Sequence, residues 1–273
     1  MKNISQKLKS KYQKLQDDLV KLDSVVVAFS GGVDSTFLLK VAKDVLDDNV
    51  LAVTVHSKVY LDRDFKATLQ LATKIGVEHL IITSSILENM RFRNNTYRRC
   101  YYCKKQMFSE ILSVARKRKF KFVIEASNKD DEKDFRPGLK ALDELGILSP
   151  LRKGCFSKDE IRIVSQGLSL ETHSHLSSSC LATRIPYGIK LSEEILSQVD
   201  KAENYLFKLG FTRIRVRYHK EVARIEIEPC EFQKMIKLSN KIVQFLKKLG
   251  FTYIAVDLEG YRSGSLNLLI NEK

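Results

Sequence analysis

The sequence lacks the features that mark membrane, secreted and disulfide-bonded proteins. No apolar run approaches the length of a membrane span, and the first residues lack the apolar core of a secretory signal. Five cysteines, an odd number, argue against a disulfide scaffold and leave metal or thiol chemistry open. No block of aromatic and basic residues marks a surface for single-stranded nucleic acid. We therefore expect a cytoplasmic location and no membrane partner.

The chain has enough length and apolar content for a substantial core. It contains 273 residues, of which 44% are hydrophobic, so one large or two smaller domains are expected. Its formal net charge of +14 favours partners that carry phosphate, such as a nucleotide, a nucleic acid or a coenzyme.

The most informative motif connects a predicted strand to a predicted helix. It reads Ser30, Gly31, Gly32, Val33, Asp34, Ser35. Backbone N–H groups and the positive end of a helix face one point at such a junction, and glycines let a bulky anion approach the main chain. The Walker A lysine is missing, and G-x-G-x-x-G is not matched. The motif resembles the PP-loop of ATP pyrophosphatases, which implies ATP binding and pyrophosphate release; the alternative is a glycine-rich turn with a helix cap.

Strand-like and helix-like patterns alternate through the first part of the chain. The predicted strands lie at 25–29, 50–55, 79–82 and 120–125. The predicted helices lie at 4–22, 35–46, 63–75, 104–119 and 157–166. This alternation predicts an α/β fold with a doubly wound parallel sheet.

An internal repeat marks a second, smaller α+β domain. Residues 208–216 recur as residues 248–256, and in each copy a helix stops at glycine before a strand begins. A third strand is predicted at 222–228. We expect a PP-loop domain over 1–170, a connecting active-site loop over 171–190 that carries Cys180, and a substrate-binding and oligomerisation domain over 191–273.

Three cysteines lie in distinctive surroundings. Cys100 and Cys103 form a C-x-x-C pair directly ahead of a predicted helix, and Cys180 opens the string CLATRIPYG. A redox dithiol, a structural zinc site and an iron–sulfur cluster are all open. A zinc site needs a fourth ligand, for which Cys155 and Cys230 are available but have no partner at ligand spacing. Three cysteines suit a 4Fe-4S cluster with one open iron.

Several motifs in order resemble those of the LarE sulfur transferases, over nearly the whole chain. They lie at 127–131, 134–138, 180–188, 215–219, 223–226 and 260–267. The resemblance implies a part in making the nickel-pincer nucleotide, in which carboxylates of pyridinium-3,5-biscarboxylic acid mononucleotide are adenylylated and oxygen is replaced by sulfur. Some members sacrifice the sulfur of one cysteine. Others carry three cysteines and are thought to use a 4Fe-4S cluster with an extra sulfide, and this chain resembles that branch.

The resemblance also suggests roles for individual residues. ATP contacts are expected from Ser30, Gly31, Gly32, Ser35, His56, Ser57 and Asn128, with Asp34 helping to place Mg²⁺. His56 and Ser57 follow a predicted strand, where ligands collect in such sheets. The alternatives are a loop histidine for His56 and a turn cap for Asn128.

Four arginines are expected to bind the substrate phosphate, and one carboxylate to contact metal or substrate. The arginines are Arg184, Arg215, Arg217 and Arg262. The alternative for Arg184 is a plain surface arginine with no ligand. The alternative for the strand that carries Arg215 and Arg217 is a ladder of cross-strand ion pairs. Glu203 is the carboxylate, and a solvated helix face explains it equally well.

Two other functions stay open at this stage. PP-loop enzymes with three cysteines also include tRNA thiolases, although no appended RNA-binding module is recognisable. The second alternative is a zinc-stabilised nucleotide-binding protein without catalysis. For the sulfur transferase we expect ATP, Mg²⁺ and a 4Fe-4S cluster as cofactors, a mononucleotide substrate, sulfide or another sulfur donor, and a homo-oligomer.

Overall fold

The computed structural model describes residues 5–133, 137–174 and 179–262. Its helices are α1 (Gln6–Val20), α2 (Val33–Leu46), α3 (Asp62–Ile75), α4 (Met90–Arg93), α5 (Arg99–Lys117), α6 (Pro137–Glu144), α7 (Pro150–Lys153), α8 (Lys158–Gly167), α9 (Glu193–Lys208), α10 (Phe232–Lys237) and α11 (Ser239–Lys248). Its strands are β1 (Val25–Ala28), β2 (Val50–His56), β3 (Glu78–Thr83), β4 (Phe122–Ile124), β5 (Ile214–His219), β6 (Val222–Ile227) and β7 (Tyr253–Val256). In the described ranges no helix is long and apolar enough to cross a membrane.

The first of two compact units comprises residues 1–57, 62–86 and 98–178. Its sheet has the order β3-β2-β1-β4, and every pairing is parallel. Parallel strands need crossover connections, and α2, α3 and α5 supply them. The predicted α/β fold with a parallel sheet is therefore confirmed.

Both faces of this sheet are covered by helices, as a doubly wound fold requires. Val25 and Val27 of β1 pack in one core with side chains of α1, α2 and α8. Val26, between them, packs in the opposite core with side chains of α5 and α6. Successive strand residues face opposite sides, so a run of apolar residues is what a strand buried on both faces needs.

The second unit comprises residues 58–61, 87–97 and 179–273, so it includes two short segments from the first half of the chain. Its sheet has the order β5-β6-β7, in which β5 and β6 are antiparallel and β6 and β7 are parallel. Helices α9 and α11 each end ahead of a strand at a glycine with positive φ, Gly210 and Gly250. This arrangement matches the predicted α+β repeat.

Asn95 explains why an early segment belongs to this unit. The side chain is fully buried, and its amide donates to the carbonyl oxygens of Ile185, Pro186 and Ile189 at 3.4, 2.8 and 2.9 Å. These bonds attach residues 87–97 to the stretch that follows Cys180. Such pairing across about ninety residues has no local sequence signal.

Candidate active site

The PP-loop motif connects the end of β1 to the start of α2. Gly32 is the N-cap of α2 and has no side chain with which to cap it, so N–H groups of the first turn are available to an anion. The hydroxyls of Ser30 and Ser35 are 3.0 Å apart, and Ser35 Oγ donates to the Gly32 carbonyl at 3.1 Å. The two serine side chains thus link the two ends of the loop at the N-terminus of α2.

Gly31 has a backbone conformation that suits glycine. Its φ is +72°, and a Cβ atom there would lie 3.0 Å from Thr68 Cγ2. We expect Gly31→Ala to cost about 1–3 kcal/mol of folding free energy and to raise the KM for ATP, because relief of the strain moves the loop amides. Steady-state kinetics and urea unfolding measure the two effects.

Gly76 provides the matched control for that substitution. Its φ is +76°, nothing lies within 4 Å of its added Cβ, and it lies after α3. Gly76→Ala should lose comparable stability with an unchanged KM for ATP. Equal KM values for both variants and the parent would show that the conformation of Gly31 has no part in ATP binding.

Asp34 occupies the first turn of α2 and pairs with Lys158, the first residue of α8. Lys158 Nζ donates to Asp34 Oδ2. The other carboxylate oxygen, Oδ1, is buried and has no hydrogen-bond partner. Burial raises the pKa of Asp34 above its usual value, although the attraction and hydrogen bond of the Lys158 ammonium act in the opposite direction. A buried carboxylate oxygen without a hydrogen-bond partner is the kind of ligand that Mg²⁺ prefers, so Asp34 fits an Mg²⁺ ligand.

The loop after β4 carries a second group of polar residues. Asn128 is buried, its Oδ1 accepts the Asp130 N–H at 2.9 Å, and its own N–H donates to Asp131 Oδ2 at 3.0 Å. Asp130 Oδ2 in turn accepts the Lys158 N–H at 2.8 Å. Asn128 therefore caps a turn, as its alternative interpretation proposed. The same loop contacts the start of α8 through Asp130. A ligand contact of Asn128 stays a prediction.

Glu125, directly after β4, is a site residue that the sequence patterns did not reveal. It is buried and accepts hydrogen bonds from Ser127 Oγ at 2.8 Å and Ser149 Oγ at 2.5 Å. Lys104 Nζ lies 3.9 Å from it. A charged residue directly after the apolar Phe122–Ile124 run was the available signal. Its bonds fix the exit of β4 next to the PP-loop strand β1, with which β4 pairs.

His56 ends β2, and Ser57 follows it, so both lie at the carboxyl edge of the sheet. The His56 ring packs on Phe65, with ring centroids 4.2 Å apart, and its Nδ1 is buried without a hydrogen-bond partner. Ser57 is also buried. The expected position of both residues is found, and their contact with ATP stays a prediction.

The C-x-x-C pair lies inside a helix rather than ahead of it, which corrects the sequence analysis. Helix α5 begins at Arg99, so Cys100 and Cys103 belong to its first turns. Residues three apart share one face of a helix. Cys100 is exposed and Cys103 is half-buried. The pair therefore presents two thiols from one face of α5 near its N-terminus.

Cys180 belongs to the second unit, where it precedes a 3₁₀ turn, Leu181–Arg184. Its thiol is half-buried, and its carbonyl oxygen accepts the Thr183 hydroxyl at 2.7 Å and Arg184 Nη1 at 3.0 Å. Arg184 Nη1 also donates to the Ser179 carbonyl at 2.6 Å. The backbone on both sides of the thiol is thus held by one guanidinium.

Arg184 and Glu203 form a fully buried ion pair. The Arg184 Nε and Nη2 atoms donate to Oε1 and Oε2 of Glu203, both at 2.9 Å. Glu203 Oε1 also accepts the Val216 N–H at 3.0 Å. The alternatives of a surface arginine and a solvated helix face are therefore wrong. Since both carboxylate oxygens of Glu203 have donors, the geometry favours a positioning role over metal binding.

The other three arginines differ in their burial and in the groups that they contact. Arg217 donates to both oxygens of Glu226 at 2.9 and 2.7 Å and to the Thr183 carbonyl at 2.7 Å, which is the predicted cross-strand ion pair. Arg215 is buried against Tyr261, 5.1 Å from the ring centroid, and burial lowers its pKa. Arg262 is exposed and pairs with Glu259. The resemblance motifs at 134–136 and 263–267 lie outside the described residues.

In the ranges the structure describes, no three His, Cys, Asp or Glu side chains are grouped as ligands of one metal ion. Cys100 and Cys103 come from the first unit and Cys180 from the second. All five cysteines are thiols. A metal centre that uses all three cysteines is therefore a proposal.

Comparison with known proteins gives one family match and several relatives. The NAD synthase family model matches residues 2–132. The pyridinium-3,5-bisthiocarboxylic acid mononucleotide synthase of Lactiplantibacillus plantarum is 38% identical over 250 residues, which cover 91% of each chain. An uncharacterized protein of Synechocystis is 37% identical and covers 97% of this chain and 100% of its own. An uncharacterized protein of Methanocaldococcus jannaschii is 28% identical and covers 89% and 92%.

Proposed function

Because this chain belongs to the LarE family of ATP-dependent sulfur transferases, we propose that it adenylylates a carboxylate of pyridinium-3,5-biscarboxylic acid mononucleotide and inserts sulfur to give a thiocarboxylate. The observation that carries the proposal is similarity to the synthase over 91% of both chains, with the PP-loop geometry formed at residues 30–35. The product serves nickel-pincer nucleotide biosynthesis.

The chemistry explains why a sulfur-inserting enzyme needs this loop. A carboxylate is a poor electrophile because oxide would have to leave, whereas an acyl-adenylate releases AMP. ATP and Mg²⁺ are the cofactors of this step. The amides of Gly31 and Gly32 and the hydroxyls of Ser30 and Ser35 would hold the phosphates, and Asp34 would hold Mg²⁺ through its unpartnered oxygen.

For the sulfur step we propose a 4Fe-4S cluster held by Cys100, Cys103 and Cys180. The chemistry of the donors suits such a cluster, because all three are thiols: Cys100 and Cys103 share one helix face, and Cys180 belongs to a turn held by hydrogen bonds from Arg184. When bound, such a cluster would offer an open iron for an extra sulfide.

The smaller domain is proposed to bind the phosphate of the mononucleotide. Arg215 and Arg262 are the stronger candidates, because the charges of Arg184 and Arg217 are balanced by buried carboxylates. The same proposal includes a homo-oligomer and sulfide as the sulfur donor.

Product analysis tests the function directly. Anaerobically purified protein, incubated with ATP, Mg²⁺, sulfide and the biscarboxylic mononucleotide, should release pyrophosphate only when the mononucleotide is present. Mass spectrometry should then detect the thiocarboxylate. Pyrophosphate release stimulated by tRNA and not by the mononucleotide would overturn the proposal in favour of a tRNA thiolase.

Metal analysis tests the cluster independently of turnover. The anaerobic protein should contain iron and acid-labile sulfide and absorb visible light, and Cys100→Ser should lose all three properties. Cys230→Ser is the matched control, because Cys230 is an exposed thiol in a 3₁₀ turn of the second unit. A colourless protein that still transfers sulfur repeatedly would refute the cluster.

A further inference from the structure

Gly138 ends the motif at 134–138, which the adenylation step does not use. It is the second residue of α6, and it is buried. We infer that Gly138 is a positioning residue for the cysteine pair of α5. Because it lacks a side chain, α6 packs directly on the backbone of Cys100 and fixes the turn that carries Cys100 and Cys103. The inference deepens the proposed function and rests on it for the sulfur step.

Two helices approach each other closely at Gly138. A Cβ atom at this position would lie 3.0 Å from Lys104 Cγ and 3.4 Å from the Cys100 carbonyl oxygen. Carbon atoms pack best at about 3.5–4.0 Å, so even a methyl group would push α5 and α6 apart. Glycine is the residue that lets two backbones come this close.

The two contacts of Gly138 lie at the two ends of one turn of α5. Cys100 and Lys104 are four residues apart, so the α-helical pattern joins the Cys100 carbonyl to the Lys104 N–H. Cys103 lies within the turn that this hydrogen bond closes. A push on the Cys100 carbonyl therefore distorts the turn and changes the separation of the two thiols.

The side chain of Lys104 is held in place and cannot easily move aside. Its ammonium lies 3.9 Å from the carboxylate of Glu125, which is buried. The same ammonium lies 4.9 Å from the centroid of the Phe108 ring. Because both ends of the Lys104 side chain are fixed, an added methyl group at position 138 has to displace backbone.

The other end of α6 is also attached to the cysteine turn. Glu144 Oε2 accepts hydrogen bonds from the Tyr101 hydroxyl and from Lys105 Nζ, both at 2.7 Å. These residues directly follow Cys100 and Lys104 in α5. Exposed ion pairs contribute little by themselves, so we assign the orientation of the turn mainly to the close packing at Gly138.

The sulfur step depends on this spacing, and the adenylation step does not. Two thiols that act together have to be held within about 0.5 Å of the productive geometry. The PP-loop precedes α2, and neither close contact of Gly138 involves it. Gly138→Ala should therefore lower sulfur transfer about tenfold, while pyrophosphate release stays near the parent rate.

Phenylarsine oxide tests the spacing without iron, nucleotide or turnover, because its arsenic binds two neighbouring thiols at once. The reduced, full-length protein, purified without added iron, should bind the arsenical, and Cys100→Ser should not. Gly138→Ala should weaken binding about tenfold, and Gly138→Val should weaken it further. Thermal unfolding checks that the variants fold. Gly138→Ala should be no more stable than the parent, although alanine normally stabilises a helix relative to glycine.

Gly154→Ala is the matched control. The φ of Gly154 is −76°, which suits alanine, and its added Cβ would lie 3.0 Å from the Phe156 ring and 3.2 Å from the Pro150 carbonyl oxygen. It is thus equally crowded but does not touch α5, and it should bind the arsenical like the parent. Parent-like binding by Gly138→Ala, or an equal loss in Gly154→Ala, would overturn the inference. A parent enzyme that binds the arsenical but forms no thiocarboxylate would refute the proposed function instead.

Discussion

Replacing Cys180 with serine is expected to abolish sulfur transfer while carboxylate-dependent pyrophosphate release continues near the parent rate. Sulfur chemistry needs the thiol, whereas the PP-loop at residues 30–35 belongs to the other unit. The turn should survive, because Thr183 and Arg184 donate hydrogen bonds to the Cys180 carbonyl, which serine retains. Pyrophosphate release and thiocarboxylate formation are measured on the same reaction mixture.

Two further cysteine variants decide what the result means. Cys155→Ser changes an exposed thiol between α7 and α8 and should leave both activities unchanged. Cys100→Ser should also abolish sulfur transfer if a cluster is used. If Cys180 is instead sacrificed, Cys100→Ser should still give one product per chain. Full sulfur transfer by Cys180→Ser would contradict any role of its thiol.

The architecture of the first unit could be predicted from local patterns because its elements are defined by local physics. Continuous apolar runs such as Val25–Ala28 identify strands buried on both faces, and their alternation with helical patterns implies parallel pairing. The glycine turn before α2 fixes which sheet edge binds phosphate. Fold class and loop position therefore followed without long-range information.

The charged contacts of the site could not be predicted in this way, because they join distant residues. Lys158 and Asp34 are 124 positions apart, and no periodicity connects them. Residues 58–61 and 87–97 likewise belong to the second unit through tertiary contacts alone. In α5 the C-x-x-C spacing also fits one helical face, and the helix beginning at Arg99 includes it.

Glu203 is a case in which a signal was present and read incorrectly. The buried residues of α9 include Leu196, Val199 and Leu206, and Glu203 stands at helical spacing from the last two. A carboxylate within an apolar stripe needs a buried partner. Arg184 is that partner, and it lies 19 residues earlier in the chain.

Glu203→Gln is therefore expected to lower the free energy of unfolding by about 3–5 kcal/mol. The substitution keeps the shape of the side chain but leaves the Arg184 guanidinium buried without a counter-charge. Urea unfolding with linear extrapolation measures the loss. The double variant Arg184→Met with Glu203→Leu should lose less than Glu203→Gln, since it buries no unpaired charge. Glu171→Gln, which breaks the exposed pair with Lys74, should cost about 0–1 kcal/mol.

The stability loss expected for Glu203→Gln should also depend on pH. Burial alone would raise the pKa of Glu203, but the charges and hydrogen bonds of Arg184, with a further contribution from the charge of Arg215, lower it below its ordinary value. A lowered pKa in the folded chain contributes stability that is fully present above the unfolded value, about 4.3, and is lost as the pH falls through the folded value. The difference between parent and Glu203→Gln should therefore stay constant near neutrality and narrow in acid. A difference below about 1 kcal/mol at pH 7 would mean that solvent reaches the pair and that it does not hold the Cys180 turn.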